Sequence, residues 1–123
     1  MSLSNIRKKS QLKSPRLLIY GSAGVGKSSF GASMDKPIFL LTEDGLGTIE
    51  TPHFPVAKDY ETLKENLESL IKEDHEYKSL VVDSVDWLEP LIWSHVCKKN
   101  GWANIDTPGY GKGYIAALDI WRE

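Results

Sequence analysis

The sequence predicts an α/β fold, a parallel sheet flanked by helices, on two observations. Short apolar runs bounded by glycine, proline or acidic residues, "RLLIY" (16–20), "PIFLLTE" (37–43) and "SLVVDS" (79–84), alternate with longer segments of helical periodicity. Runs of that length suit strands buried on both faces, and strand–helix alternation marks βαβ units. Between the first run and the first helical segment stands "GSAGVGKSSF" (21–30), three glycines within six residues and then a lysine and two serines.

Taken in order, residues 1–15 form a basic arm and 16–123 the folded domain. Arg7, Lys8, Lys9, Lys13 and Arg16 face no acid in the first sixteen residues, so the remainder sums to −7 of a net −2. Such an arm is either a solvated terminus or a contact for nucleic acid phosphates. A helix is expected from about Gly26 to Met34, ahead of Pro37. Residues 45–58, with Gly45, Gly47, Pro52 and Pro55, read as loop around a brief strand near "FPVA". Tyr60, Leu63, Leu67, Leu70 and Ile71 recur at helical spacing, and Asp59 stands ready as N-cap. A second long helix runs through "DWLEPLIWSHVCKKN", with Trp87, Leu91 and Val96 toward one side, Pro90 near the first turn and Gly101 past the end. The glycine-rich "TPGYGKGY" then leads into a last helix, "YIAALDIWRE".

Composition restricts the function classes. At 123 residues, 41% hydrophobic and 26% charged, the chain has the make-up of one soluble globular domain. No apolar run approaches the roughly 20 residues that span a bilayer, and because residues 1–16 are largely polar, no secretory signal is expected there. Cys97 is the single cysteine, which excludes an internal disulfide and fits a reducing cytoplasm. His95 and Cys97 lie two apart on a helix, on different faces, which argues against a metal pair. The four tryptophans suit core or subunit contacts better than base stacking.

Gly21, Gly26, Lys27 and Ser28 match the phosphate-loop pattern G-x-x-x-x-G-K-[ST], with a strand expected before it and a helix after. Glycines let the backbone curl so that its N–H groups point at one anion, and Gly24 adds freedom beyond the pattern. The residues expected to hold the phosphates are therefore Gly21, Ser22, Ala23, Gly24, Val25, Gly26, Lys27, Ser28 and Ser29. Lys27 would reach the β- and γ-phosphates and Ser28 would ligate Mg²⁺. The ligand expected is ATP, or ADP after turnover, with magnesium. A second metal-site oxygen is expected from Asp83, carried by "SLVVDS" to the carboxyl end of the sheet, where ligands of open α/β folds bind. Ser84 follows it, as a site residue or a helix cap. Glu43 ends "IFLLTE" on the same edge and is the best-placed base for hydrolysis, with Asp44 as its rival. Lys112, in "GYGKGY", lies either in a turn or beside a nucleotide or neighbouring subunit.

Together "LLIYGSAGVGKSSF", "IFLLTEDG", "SLVVDSVDWLEPLIW" and "GYGKGY" resemble a phage and prophage family of RecA-like P-loop ATP-binding proteins, AAA-type and related to single-strand annealing recombination proteins. The resemblance runs from about Arg16 to the C-terminus. It implies a RecA-like core with residues 21–28 on phosphates, Asp83 on the metal and Glu43 as catalytic glutamate. It also implies a role in phage DNA recombination or replication inside the bacterial host, with single-stranded DNA and other copies of the chain as partners. Members usually continue past "YIAALDIW" into further strands, one of them between the P-loop strand and the Asp83 strand. The chain is therefore expected to be an N-terminal portion of such a core, incomplete at its C-terminus. The alternatives are a nucleotide-binding interaction module without turnover, or a small P-loop kinase. Against the kinase, the lid arginines of such enzymes have no counterpart, since Arg122 is the only arginine after residue 16.

Overall fold

The structure is a computed structural model and describes residues 2–6 and 13–123. Arg7, Lys8 and Lys9 of the basic arm lie outside the described residues. Two strands, β1 (Pro37–Leu41) and β2 (Ser79–Asp83), pair in parallel with Leu41 opposite Asp83. Around them lie α1 (Lys27–Ala32), α2 (Tyr60–Lys72), α3 (Val85–Asn100) and α4 (Lys112–Trp121), with one 3₁₀ turn at Leu3–Asn5.

Alternation along β1 divides the core in two, because successive strand side chains point to opposite faces. Leu40 joins Tyr60, Leu63, Leu88, Ile92, Val96, Ala117 and Ile120, the layer built from α2, α3 and α4. Phe39 and Leu41 join Leu46 on the other face, with Ala32 of α1 and Val81 of β2 packed against them. Burying each of Phe39, Leu40 and Val96, which are fully enclosed, contributes roughly 1.5–3 kcal/mol. Gly31 brings α1 down onto β2: a Cβ there would meet Val81 Cγ1 at 2.9 Å and Phe39 Cζ at 3.1 Å.

The expected first strand, 16–20, is not part of the sheet. Leu17, Leu18, Ile19 and Tyr20 are exposed, Tyr20 to 89%. A strand needs a hydrogen-bonding edge as well as an apolar run, and no described segment joins 16–20 to β2. The sheet thus has two strands, and its RecA-like extension is not seen. The brief strand expected near "FPVA" is reduced to a bridge between Phe39 and His53. Segment 52–57 still borders β1, through Phe39 N–H to the Pro52 carbonyl, Phe54 N–H to the Phe39 carbonyl and Ala57 N–H to the Leu41 carbonyl, each 2.9 Å. Pro52 and Pro55 have no N–H to give, so a regular ladder cannot form.

Asp59 caps α2 as its position predicts, accepting the Thr62 N–H at 2.8 Å. Tyr60 and Leu63 of its apolar face are buried, but Ile71 is 82% exposed, so the packing ends before the helix does. In α3 the buried stripe is Leu88, Ile92 and Val96, not the expected Trp87, Leu91 and Val96. Four-residue spacing keeps one face toward α2 and α4, and Trp87, turned away from it, is 58% exposed. Pro90 lies deeper than expected, as the sixth residue of the helix, on an exposed position. Gly101, left-handed at φ 70°, ends α3. "GYGKGY" is a turn: Gly109, Tyr110 and Gly111 have φ of 71°, 52° and 70°, and α4 starts at Lys112.

Polar contacts tie the helices together. The Tyr60 hydroxyl donates to Glu123 Oε2 at 3.2 Å, and Lys64 pairs with the same oxygen at 3.3 Å. Burial, reinforced by Glu123, pushes the Tyr60 phenol above its ordinary value. His95 Nδ1 stands 2.9 Å from Glu61 Oε1, joining α3 to α2. Among the described residues no helix is long and apolar enough to cross a membrane.

A phosphate-loop candidate site

Residues 21–26 form an exposed loop leading into α1. Gly24 and Gly26 take φ of 79° and 105°, which a side chain would strain, so the extra glycine at 24 is a structural requirement and not filler. The loop is closed by its own lysine. Lys27 Nζ donates to the Gly21 carbonyl at 2.6 Å and to the Ser22 carbonyl at 2.9 Å. Ser22 also accepts the Val25 N–H at 3.3 Å, a turn inside the loop that carries Ala23 and Gly24 at its corner. Ser29, the next residue along α1 after Ser28, is exposed.

Strand parity decides where Asp83 points. It shares a face of β2 with Val81, which packs toward α1. Ser28, on the first turn of α1, meets it there: its hydroxyl donates to Asp83 Oδ2 at 2.6 Å, across 55 residues of sequence. A contact of that length to a carboxylate is of the strong, charge-assisted kind. The two oxygen donors that the pattern assigns to a metal are thus adjacent and half-buried.

Just past the strand ends, β1 and β2 are laced by polar groups. Thr42 N–H donates to the Asp83 carbonyl at 2.9 Å. The Thr42 hydroxyl donates to the Ser84 carbonyl at 2.7 Å and accepts the Ser84 N–H at 2.9 Å. Ser84 Oγ donates to Glu43 Oε2 at 3.2 Å. Glu43 is half-buried and therefore touches the residue directly after Asp83, whereas its rival Asp44 is exposed. Ser84 occupies the N-cap position of α3 with extended backbone, yet its side chain makes no cap hydrogen bond. A serine capping bond is typically worth about 1 kcal/mol, and here the hydroxyl is turned to Glu43 instead.

Three contributors escape sequence reasoning. Thr42 was only the polar tail of an apolar run. Gly31 gave a usable signal, since glycine in a helix interior costs about 1 kcal/mol against alanine and often marks close packing. Gly45 places no side chain against Glu43 Oε1, where a Cβ would stand 3.1 Å away. Lys112 is exposed at the start of α4 and has no described bond to the loop.

A parallel β–α arrangement, a glycine loop clasped by its lysine, and a serine–aspartate pair at the end of β2 are features that a P-loop nucleotide-binding domain would use. Comparison with known families agrees: the AAA domain matches residues 13–123, and the chain belongs to that family. It is similar to the SPbeta prophage-derived uncharacterized protein YorG of Bacillus subtilis (strain 168), 26% identical over 113 residues. The alignment covers 87% of this chain and 35% of that protein, so the chain spans about a third of the length of its curated relative. No solved structure matches the chain significantly.

Proposed function

We propose that the chain binds ATP at residues 21–29 and hydrolyses it, as the nucleotide-binding part of a RecA-like ATPase of phage DNA recombination or replication. The observation that carries the reading is the 2.6 Å contact between Ser28 and Asp83, with Glu43 one hydrogen bond away through Ser84. The prophage origin of the relative supports the phage setting.

The donor set fits magnesium. A hydroxyl and a carboxylate are hard oxygen ligands, and magnesium is usually held by one or two carboxylates plus substrate phosphates. Ser28 and Asp83 would hold the ion, whose positive charge offsets the charge that builds on the phosphate oxygens in transfer. Gly21, Ser22, Ala23, Gly24, Val25 and Gly26 would offer backbone to the phosphates. Lys27 would leave the Gly21 and Ser22 carbonyls for the β- and γ-phosphates, replacing two neutral acceptors with anionic ones. Glu43 would orient a water and take its proton as the water oxygen bonds to the γ-phosphorus. The bond from that phosphorus to the bridging oxygen breaks, and its electron pair leaves with ADP.

Calorimetry with Mg²⁺–ATP beside Lys27→Ala, together with phosphate release with and without single-stranded DNA, tests the proposal. Binding that is lost in Lys27→Ala, and release stimulated by DNA, are the expected results. A folded chain that binds no Mg²⁺–ATP would refute it. A second reading, nucleotide binding without turnover, is favoured by the unpaired 16–20 segment, which leaves the loop unanchored on its N-terminal side. Binding without phosphate release would select it.

A further inference from the structure

We infer that Ser84 is a positioning residue for Glu43, and that Thr42 is the clamp that holds Ser84 in place; the inference rests on the hydrolytic reading above. Ser84 has the position and backbone of a helix cap and makes no cap bond. Its hydroxyl instead donates to one carboxylate oxygen of Glu43, Oε2, at 3.2 Å. The other oxygen, Oε1, accepts no hydrogen bond among the described residues and is flanked by Gly45, where no side chain covers it. One oxygen is tethered and the other is left to face a water.

The tether is useful only if Ser84 itself is fixed, and Thr42 fixes it from both sides. The Thr42 hydroxyl donates to the Ser84 carbonyl at 2.7 Å and accepts the Ser84 N–H at 2.9 Å. Thr42 is buried and Ser84 half-buried, which limits the competition of water for these bonds. The Thr42 N–H is bonded to the Asp83 carbonyl. The position of Glu43 is thereby referred to Asp83, and through Asp83 to Ser28. The Ser84–Glu43 bond joins residues 41 apart in sequence. At 3.2 Å the Ser84 bond is long for a hydroxyl donor, so a moderate kinetic effect is expected.

The experiment measures kcat, KM and Mg²⁺–ATP Kd for wild type, Ser84→Ala, Ser84→Thr, Thr42→Val, Glu43→Gln and the double variant Ser84→Ala/Glu43→Gln, with urea unfolding as the folding control. Ser84→Ala should lower kcat roughly tenfold and leave Kd within about twofold, because the hydroxyl orients a reacting group and not the nucleotide. Ser84→Thr, which keeps a hydroxyl, should restore most of the rate. Thr42→Val should mimic Ser84→Ala in kcat. In the Glu43→Gln background, Ser84→Ala should cost nothing further, since an effect exerted through Glu43 disappears with it. A Ser84→Ala enzyme with wild-type kcat, or one whose loss persists undiminished in the double variant, overturns the inference and leaves ATP hydrolysis standing. Full turnover in Glu43→Gln overturns the inference together with the role given to Glu43, while nucleotide binding stands. Wild-type chain that binds Mg²⁺–ATP and releases no phosphate refutes both.

Discussion

Gly31→Ala puts the close approach of α1 to β2 to the test. The new methyl would stand 2.9 Å from Val81 Cγ1, 3.1 Å from Phe39 Cζ and 3.3 Å from Val81 Cγ2. Neither neighbour yields cheaply: Phe39 has no exposed surface, and valine is stiff at χ1. Overpacking of this kind costs about 1–3 kcal/mol. Alanine returns up to about 1 kcal/mol of helix propensity, and less here because Gly31 is next to last in a six-residue helix. The balance is a loss of about 1 kcal/mol, or a fall of about 0.5 M in the urea midpoint at a slope of about 2 kcal/mol/M. Tryptophan fluorescence would follow the transition. The displaced helix carries Ser28 with it, so Mg²⁺–ATP affinity should fall as well. In a Val81→Ala background the two valine contacts are relieved and only the Phe39 contact remains, so Gly31→Ala should cost less there than in the wild type. A midpoint at or above wild type in the single variant would refute the packing argument.

Other substitutions separate the remaining features. Asp59→Ala should lower the urea midpoint at pH 7, where the carboxylate caps α2. Thr62, through its hydroxyl and then its N–H, holds the Asp59 carboxyl below its usual range. A depressed folded-state value means the stabilisation is present above the unfolded carboxylate pKa and is lost as pH falls through the folded one. The gap between wild type and Asp59→Ala should therefore close in acid, and a gap independent of pH would count against the cap. Gly113→Ala should be far more damaging than Gly111→Ala. A methyl at 113 runs into the Ile105 backbone carbonyl, while at 111 it meets open space and costs only the left-handed conformation, about 1–2 kcal/mol. Equal thermal midpoints for the two would contradict this. Ile92→Ala should cost about 2–5 kcal/mol, and Trp87→Ala much less, as their exposures of 2% and 58% require; the reverse order in chemical unfolding would place the α3 core face wrongly.

Which parts of this molecule were legible in the sequence follows from how local their causes are. The glycine loop of residues 21–26, the Asp59 cap and the Gly101 terminus were readable because each is made within a few residues of chain. Asp83 was readable one step further out, since an apolar run that ends in an acid places that acid at the carboxyl end of its strand, although β2 itself is only half-buried, with Leu80 exposed. The face of α3 was not, because Trp87 and Leu88 are equally apolar and only the position of α2 and α4 selects between them. The 16–20 run failed for a related reason: its apolar pattern suits a strand, but pairing depends on an edge that other residues must supply. The lacing of Thr42, Glu43 and Ser84 was illegible because it spans two strands whose register no single segment contains.

For anyone handling the purified protein, the free edge of β2 sets the working concentration. Among the described residues its outer side pairs with nothing, and the apolar residues 17–20 stand exposed nearby in sequence to the loop. An unpaired edge is a template for strands of other molecules, and a net charge of −2 gives little colloidal repulsion to oppose it. Dilute samples should sediment as single chains and concentrated ones should lose material to irreversible association, so rates per chain ought to be compared only across a dilution series.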